Sequence, residues 1–348
     1  MWLKGMAVAT LVVSAALSTP ARAQAPEPYA VTPDLEEAAR EEGQVIFYTA
    51  TDVAVAEKLA EGFRAKYPGI NVQVERAGSE RIFQRIGQEY MTGIYNADVI
   101  ETSDAVHFNM FKREGWLQAA VPEEVAREWP ADERDRDGYF AAYRAHLSVI
   151  AYNRDALGGT EPPRSFADLV DPRFKDKLVK AHPGYSGTIM TATFVLSQAL
   201  GWEYFEKLGQ QNVMQVQSST EPPKKLAQGE RAVEIDGNEY NLFRLIEEGA
   251  PLEIVYAEEG TPLVVGNAGI LANAPHPNAA KLFYSYLFSL EAQQLNSDFG
   301  GLRSFHPGVK EKAGRTPLSE IELLHSDPEK LEPEIETIKS NYELYFGT

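Results

Sequence analysis

Short apolar strands and amphipathic helices alternate along this chain, and the alternation restricts the possible folds more than any other feature. Residues 44–50 (QVIFYTA) form a predicted buried strand, and the following helix places Val55, Leu59 and Phe63 on one face. The same order returns at residues 70–90 and 97–110. Strands separated by helices pair in parallel, because the chain crosses back over the sheet before the next strand begins. The sequence therefore predicts an α/β protein with mostly parallel sheets flanked by helices.

The length of the chain predicts two lobes. A single hydrophobic core rarely serves 348 residues. Residues 143–152 form a long apolar strand that could cross between lobes, and residues 263–271 form a second one that could return. We expect lobe 1 to comprise residues 24–147 and 264–348, lobe 2 to comprise residues 148–263, and the crossing strands to form a hinge. The charged stretch 121–137 is predicted to be a solvated loop.

The N-terminus has the pattern of a secretory signal. Lys4 precedes an apolar run over residues 6–17, and Ala21-Arg22-Ala23 resembles a cleavage site before Gln24. Loss of residues 1–23 removes two basic and no acidic residues, so the formal charge changes from −18 to −20. Such an acidic chain is not expected to bind nucleic acid or anionic membranes. The absence of cysteine excludes a lipoprotein anchor, disulfides and thiolate sites.

Six predicted junctions between a strand and the next helix carry small polar residues. They are Thr51 with Asp52, Gly78 with Ser79, Thr102 with Ser103, Ser186 with Gly187 and Thr188, Ser219 with Thr220, and Asn238 with Tyr240. Each alone is typical of a helix cap. In open α/β sheets, however, ligands bind beyond the carboxyl ends of the strands. Six such junctions in two lobes therefore predict a polar cleft that binds a ligand.

The last junction, in residues 233–249 (VEIDGNEYNLFRLIEEG), has the greatest functional interest. The strand is predicted to end at Ile235, a turn to follow through Asp236–Asn238, and a helix to begin near Tyr240. Unpaired N–H groups at a helix N-terminus attract an anion or an oxygen-rich ligand. For Tyr240, a structural hydrogen bond and a contact with metal or oxyanion are equally compatible with the residues.

Enzyme signatures are missing from the sequence. It has no G-x-S-x-G elbow, phosphate-loop lysine motif, dinucleotide fingerprint or H-E-x-x-H. Six histidines are scattered without metal-ligand spacing, and His107 is the one that could face the cleft. A hydrolase using Asp52, His107 and Glu239 is the outside alternative.

The ordered series of segments resembles the periplasmic substrate-binding proteins of ABC importers, specifically the ferric-iron type with the type II binding-protein fold. The resemblance covers residues 44–346, and its order and spacing are more specific than any single piece. The pieces are VIFYTA, AGSE, NADVIETSD, SVIAYN, YSGT, AVEIDGNEYNLFRL, GILANAPHPNAAKLF and GLRSFHPGV. The resemblance implies a periplasmic, non-enzymatic protein whose lobes close on ligand and dock on an inner-membrane permease. We expect it to be a monomer.

The resemblance also implies a ferric ion held with a synergistic anion. The anion junction falls on Ser186-Gly187-Thr188, and Asn238 occupies a family anion-contact position. The family's tyrosine pair falls on Tyr240 and Asn241, its histidine on Asp52 and its glutamate on Ser103, so only Tyr240 and Asp52 remain as metal ligands. The alternative cargo is a phosphonate, phosphate ester or carboxylate, held by Ser79, Ser103, Ser186, Thr188 and nearby N–H groups. Thr51, Gly187, Ser219 and Asn238 complete the expected ligand-binding set.

Overall fold

The computed structural model describes residues 25–347, in which strands and helices alternate as the sequence predicts. The predicted signal segment, residues 1–23, lies outside the described residues. The strands are β1 Gln44–Thr49, β2 Asn71–Arg76, β3 Val99–Thr102, β4 Leu117–Gln118, β5 Ala141–Asn153, β6 Leu178–Ala181, β7 Met214–Val216, β8 Val233–Asn238, β9 Leu252–Val255, β10 Thr261–Leu271 and β11 Leu323–Leu324.

Fourteen α-helices connect and cover these strands within residues 25–347. They are α1 Pro33–Glu42, α2 Val53–Lys66, α3 Ser79–Thr92, α4 Ala105–Arg113, α5 Glu123–Glu128, α6 Arg154–Leu157, α7 Gly187–Leu200, α8 Trp202–Gly209, α9 Pro222–Ala227, α10 Glu239–Glu247, α11 Pro277–Leu287, α12 Leu290–Asp298, α13 Pro328–Leu331 and α14 Ile335–Phe346. Short 3₁₀ turns occur at Ala131–Glu133, Ala167–Val170, Pro172–Phe174, Leu318–Glu320 and Glu332–Glu334.

Two parallel groups of strands are joined by an antiparallel pair. The order across the sheet is β2-β1-β3-β10-β5-β8-β6-β7. Strands β2, β1 and β3 are mutually parallel, as are β8, β6 and β7. Between the groups, β10 runs antiparallel to β3 and β5, and β5 runs antiparallel to β8. Each parallel group therefore has a carboxyl edge at which its helices begin.

The long strand β5 belongs to both halves of this arrangement. Its first part, from Ala141 to Leu147, pairs with β10, and its second part, from Ser148 to Asn153, pairs with β8 and β9. Nine of its thirteen residues are apolar or aromatic, and all but Tyr152 are buried. The sequence of a strand that is covered on both faces is an almost continuous apolar run. For this reason β5 could be predicted from the sequence as a crossing strand.

Each half has its own hydrophobic core. Phe47, Phe63 and Phe283 form a cluster of edge-on aromatic contacts in the first, with ring centroids 5.1–5.2 Å apart. Phe166 and Phe205 belong to the core of the second. Helix α14 packs against α7 and α8, and the Tyr342 hydroxyl donates to the Ala181 carbonyl (3.2 Å). The C-terminal helix thus covers β6, which lies in the second half.

Three local predictions were wrong. Strand β8 does not stop at Ile235 but continues to Asn238, because Gly237 and Asn238 pair with β5 and α10 begins directly at Glu239. The apolar pattern of residues 278–290 predicts one helix, but the structure has two there, because Ser289 caps α12 by accepting from the Ala292 N–H (3.2 Å). The stretch 121–137, expected to be a loop, contains α5 and a 3₁₀ turn.

Candidate functional site

Three hydroxyl groups from three junctions converge at the carboxyl edge of the sheet. Ser79 precedes the body of α3, Ser103 follows β3, and Thr188 lies in the first turn of α7. The Oγ atoms of Ser79 and Ser103 are 2.8 Å apart, and Thr188 Oγ1 donates to Ser103 Oγ (3.2 Å). All three residues are buried. We call Ser79, Ser103 and Thr188 the hydroxyl cluster.

Gly187 allows the N-terminus of α7 to lie this close to the N-terminus of α4. A Cβ atom added at Gly187 would lie 2.6 Å from the Asp104 Cβ and 3.1 Å from the Asp104 nitrogen. Gly78 makes a similar approach, because its added Cβ would lie 2.6 Å from the Tyr185 carbonyl oxygen. The N-termini of α3, α4 and α7 therefore meet around the hydroxyl cluster.

A buried chain of polar side chains supports the hydroxyl cluster from the crossing strand. Arg144 donates to Glu101 Oε1 (3.0 Å) and, through Nη1, to His146 Nδ1 (2.8 Å). That contact leaves His146 Nε2 as the donor to Thr188 Oγ1 (3.2 Å). Burial and then the charge of Arg144 lower the pKa of His146 well below its usual value, so the imidazole is neutral.

Glu101 anchors the β1–α2 junction on the same chain of contacts. Its Oε2 accepts hydrogen bonds from the Thr51 hydroxyl (3.0 Å) and from the N–H groups of Ala50 and Thr51 (3.1 Å each). Thr51 is buried and its hydroxyl is engaged in this way. Because Glu101 is bound by Arg144 and by the junction at once, its negative charge is fully compensated within the protein.

A second polar group lies at the β8–α10 junction. Asn238 Nδ2 donates to Ser219 Oγ and to Asn241 Oδ1, both at 3.2 Å. Its Oδ1 is buried and accepts no hydrogen bond from any residue between 25 and 347. Asn238 is the N-cap position of α10 but makes no side-chain cap bond. The amide is therefore held in place through its Nδ2 atom, and its side chain lies next to His146.

Arg76 reaches across the cleft from the end of β2. Its Nη2 donates to Ser218 Oγ (2.8 Å) and contacts Thr220 Oγ1 (3.5 Å). Its Nε is buried without a hydrogen-bond partner, and the guanidinium forms no ion pair with another described residue. A cavity of about 150 Å³ lies beside it, and its walls include Arg81, Tyr185, Gln217 and Glu221.

The two candidate metal ligands have protein partners or remain protonated. Asp52 caps α2 by accepting from the Ala54 N–H (3.1 Å), and its Oδ1 also accepts from Arg244 Nη1 (2.9 Å). Tyr240 is buried with its ring edge-on to His146, the centroids being 5.5 Å apart. Burial raises the pKa of Tyr240 to about 12 although Arg144 opposes the shift. Within residues 25–347, no three His, Asp or Glu side chains form a group that could hold a metal ion.

Comparison with known proteins identifies the family. A model of the bacterial extracellular solute-binding proteins matches residues 96–317. The chain belongs to this family. Such proteins bind small ligands in the periplasm for ABC importers and work with membrane permeases, and they are transport proteins rather than enzymes. In the part of the chain that the structure describes, no helix has the length and hydrophobicity needed to cross a bilayer.

Relatives of this solute-binding protein include proteins of iron uptake. It is 23% identical over 305 residues to iron uptake protein A1 of Synechocystis, with 82% of this chain and 80% of that protein covered. It is 33% identical over 144 residues to an uncharacterized protein of Haemophilus influenzae. That match spans 40% of this chain and 41% of the relative, less than half the length of either.

Solved structures of two kinds of binding protein share the fold. The periplasmic binding protein AfuA of Actinobacillus pleuropneumoniae, with exogenous fructose-6-phosphate bound, superposes with a TM-score of 0.79 at 24% identity, covering 88% of this chain and 99% of that one. Iron-bound HitA of Pseudomonas aeruginosa gives 0.73 at 20% identity, covering 86% and 99%. The solute-binding protein therefore has the two-lobed type II periplasmic binding fold that the sequence predicted.

The structure brings together some, not all, of the predicted site residues of this solute-binding protein. Ser79, Ser103 and Thr188 meet around Gly187, and Ser219 meets Asn238. Ser186 instead caps α7, its Oγ accepting from the Ile189 N–H (3.4 Å). Thr51 is bonded to Glu101, and Asp52 to Arg244.

Four charged or titratable residues of the site were missed. They are Arg76, Glu101, Arg144 and His146. Arg144 and His146 occupy alternate positions of an otherwise apolar strand, so both point to one face, and that interruption was a usable signal. Arg76 immediately precedes the Ala77-Gly78 junction and could have been found by extending each junction back by two residues.

Proposed function

We propose that this solute-binding protein captures a small organic anion, such as a phosphate ester, phosphonate or carboxylate, between its lobes and delivers it to an ABC permease. The observation that carries the proposal is the uncompensated charge of Arg76. Glu101 is paired with Arg144 and Asp52 with Arg244, so Arg76 is left without a carboxylate partner among residues 25–347. A half-buried cation of this kind, with a buried Nε that lacks a partner, favours an anionic ligand.

Backbone N–H groups at the site also favour an anionic ligand. The N-termini of α3, α4 and α7 meet at the hydroxyl cluster, and helix N-termini carry a partial positive charge with unpaired N–H donors. Serine and threonine hydroxyls can donate to anionic oxygen at the same place. In our proposal Arg76 and the hydroxyl cluster hold the anionic group, while the cavity beside Tyr185 receives the remainder of the molecule.

Ferric iron, the cargo first suggested by the family resemblance, is the second candidate. It is favoured by the iron uptake protein among the relatives and by iron-bound HitA among the structural neighbours. Its two candidate ligands are less suitable here, because Arg244 already neutralises Asp52 and Tyr240 retains its proton up to a pKa of about 12. Arg76, which has no ion pair with another described residue, would also repel a trivalent cation.

The hydrolase alternative lacks a common site for its three residues. His107 Nε2 lies 3.5 Å from Glu80 and 3.7 Å from Asp104. Glu239 is buried against Arg303 (2.7 Å) and accepts from the Tyr256 hydroxyl (2.7 Å). Asp52 is bound to Arg244. Each acid or base thus has a separate structural partner, which supports a binding role for the cleft.

The remaining features of the proposal follow from the sequence. Residues 1–23 would direct export and be removed near Ala23, and the mature protein would act as a periplasmic monomer. The predicted boundary at residues 147–148 falls within β5, where its pairing changes from β10 to β8, and the boundary at 263–264 falls within β10. Movement of the lobes about these strands would open and close the cleft.

A thermal-shift screen tests the choice of cargo. Fructose 6-phosphate, inorganic phosphate, a phosphonate and ferric citrate are each added to the mature protein, to Arg76→Gln and to the control Arg64→Gln. Arg64 lies in the last turn of α2, at the opposite end of that helix from Asp52. A ligand at 100 times its Kd stabilises by about 2.7 kcal/mol, which corresponds to roughly 5 °C. We expect an anion to produce this shift in the wild type and control but not in Arg76→Gln. A shift with ferric citrate alone, retained in Arg76→Gln and lost in Tyr240→Phe, would establish iron instead.

A further inference from the structure

A second cavity, of about 580 Å³, is lined by residues other than those of the hydroxyl cluster. Its walls come from α4, α7, strand β10, the 3₁₀ turn Ala131–Glu133 with the residues after it, and the segment between β11 and α13. None of the predicted ligand-binding residues lines it. The volume falls within the range of about 300–1,000 Å³ typical of small-molecule sites.

The interior of this cavity combines an apolar wall with polar groups that lack partners. Phe140, Leu263 and Val265 supply the apolar surface. Asn267 and Thr191 also line it and are only 5% and 6% exposed. Neither side chain forms a hydrogen bond with another residue in the described range 25–347. Buried amide and hydroxyl groups are normally hydrogen-bonded, so these two are available to a ligand that enters the cavity.

The charges around the cavity leave one half-buried carboxylate unpaired. Lys112 is bound by Asp135 and Asp137, each at 2.6 Å. Arg134 donates to the carbonyl oxygens of Val125 (3.1 Å) and Ala126 (3.0 Å). Glu133 is partly buried and has neither an ion pair nor a side-chain hydrogen bond within the described chain. Arg136 and His325 also line the cavity, and both side chains are exposed.

We propose that this cavity is a second ligand site that takes a small organic amine, with its ammonium group against Glu133 and its carbon skeleton against Phe140 and Val265. A hydroxyl or amide on the ligand would pair with Asn267 and Thr191. A cation complements an unpaired carboxylate better than a neutral or anionic group does. Burial, and secondarily the charge of Asp132, raise the pKa of Glu133 to about 7 because both disfavour its charged form. An ammonium partner would stabilise that charged form.

Both halves of the protein contribute to this site. α4 follows a strand of the first parallel group, α7 follows a strand of the second, and β10 runs between the groups. Any movement of the lobes would therefore change the shape of the cavity, and an amine bound there would bias that movement. This inference does not depend on which cargo occupies the hydroxyl cluster.

Three probes of equal length but different charge test the proposal: n-pentylamine, 1-pentanol and pentanoate. Their dissociation constants are measured by ligand-observed NMR at pH 8 with the wild type, Glu133→Gln and the control Glu329→Gln, which removes an exposed acid from the rim. We expect the amine to bind roughly fivefold or more tightly than the alcohol, as for one partly buried charge pair. Glu133→Gln should abolish that preference, and Glu329→Gln should keep it.

A second variant keeps the test independent of the folding of Glu133→Gln. Val265→Met narrows the cavity without changing its charge, and it should weaken the binding of both the amine and the alcohol. Equal binding of the three probes to the wild type would overturn the proposal. So would an amine preference that survives in Glu133→Gln or amine binding that is unaffected by Val265→Met.

Discussion

Gly187→Ala should open the cleft of this protein without unfolding it. The added Cβ would stand 2.6 Å from the Asp104 Cβ, whereas carbon atoms prefer about 3.5–4.0 Å. The N-termini of α4 and α7 must therefore separate by about 1 Å. Gly187 is the first residue of α7 and has no positive φ, so alanine fits the backbone there. The strain consequently falls on the contact between the two sides.

The magnitude follows from the cost of overpacking, about 1–3 kcal/mol for an added methyl group in a closely packed site. If the whole cost is borne by the closed arrangement, the ratio of closed to open molecules falls about 5- to 150-fold. The helix itself gains from the change, since alanine is favoured over glycine by up to about 1 kcal/mol in a helix. We therefore expect a more open molecule with unimpaired resistance to urea.

Small-angle X-ray scattering measures this opening as an increase in the radius of gyration. The matched control is Gly87→Ala, in the middle of α3, whose added Cβ would meet the Trp116 ring at 3.5 Å, an ordinary contact. The control should scatter like the wild type and should be slightly more stable. Identical scattering from Gly187→Ala and Gly87→Ala would refute the view that Gly187 sets the distance between the two sides.

Three further variants give separate expectations. Glu234 is fully buried with both carboxyl oxygens unpartnered among the described residues, and burial raises its pKa well above the usual value. The folded state therefore keeps a proton that the unfolded state releases. The free energy of unfolding consequently falls as pH rises above about 4.3, by up to about 1.4 kcal/mol per pH unit. Glu234→Gln should remove that loss, so urea unfolding at pH 5 and pH 7 should show a larger gain for the variant at pH 7, and a gain equal at both would contradict the assignment. Arg244→Leu removes the ion pair to Asp52 while Asp52 still caps α2, so the closed population should fall about fivefold at low salt and less at high salt. Energy transfer between dyes at Lys58→Cys and Lys207→Cys measures the closed population. A change that does not depend on salt would be evidence against a role for the Arg244–Asp52 ion pair. Ser289→Ala should cost about 1 kcal/mol through loss of the α12 cap, and an unchanged urea midpoint would show that the cap contributes nothing.

The alternation of strands and helices was predictable because it depends on local hydrophobic periodicity. Strand β1 begins at the predicted residue and ends one residue before the predicted end, and the bounds of the crossing strand β5 differ from the predicted ones by one or two residues. The break between α11 and α12 was missed because the apolar pattern continues across Ser289. Only the hydrogen bond from the Ala292 N–H to Ser289 Oγ shows that a new helix begins there.

The candidate site was predictable in its location more than in its chemistry. Junction residues such as Ser103 and Thr188 can be recognised because helix caps have local signatures. Their meeting across the cleft depends on Gly187 and Asp104, which are 83 residues apart, and no local pattern encodes that contact. The role of Arg76 depends on which carboxylates are already paired, which is a property of the assembled protein.

The most direct test of the proposed cargo is native mass spectrometry of the mature protein offered fructose 6-phosphate and ferric citrate together. Our account predicts a single adduct with the mass of the sugar phosphate, or of another organic anion when that is substituted for it. The adduct should disappear in Arg76→Gln. An adduct with the mass of iron, formed in the presence of the anion and lost in Tyr240→Phe, would contradict it.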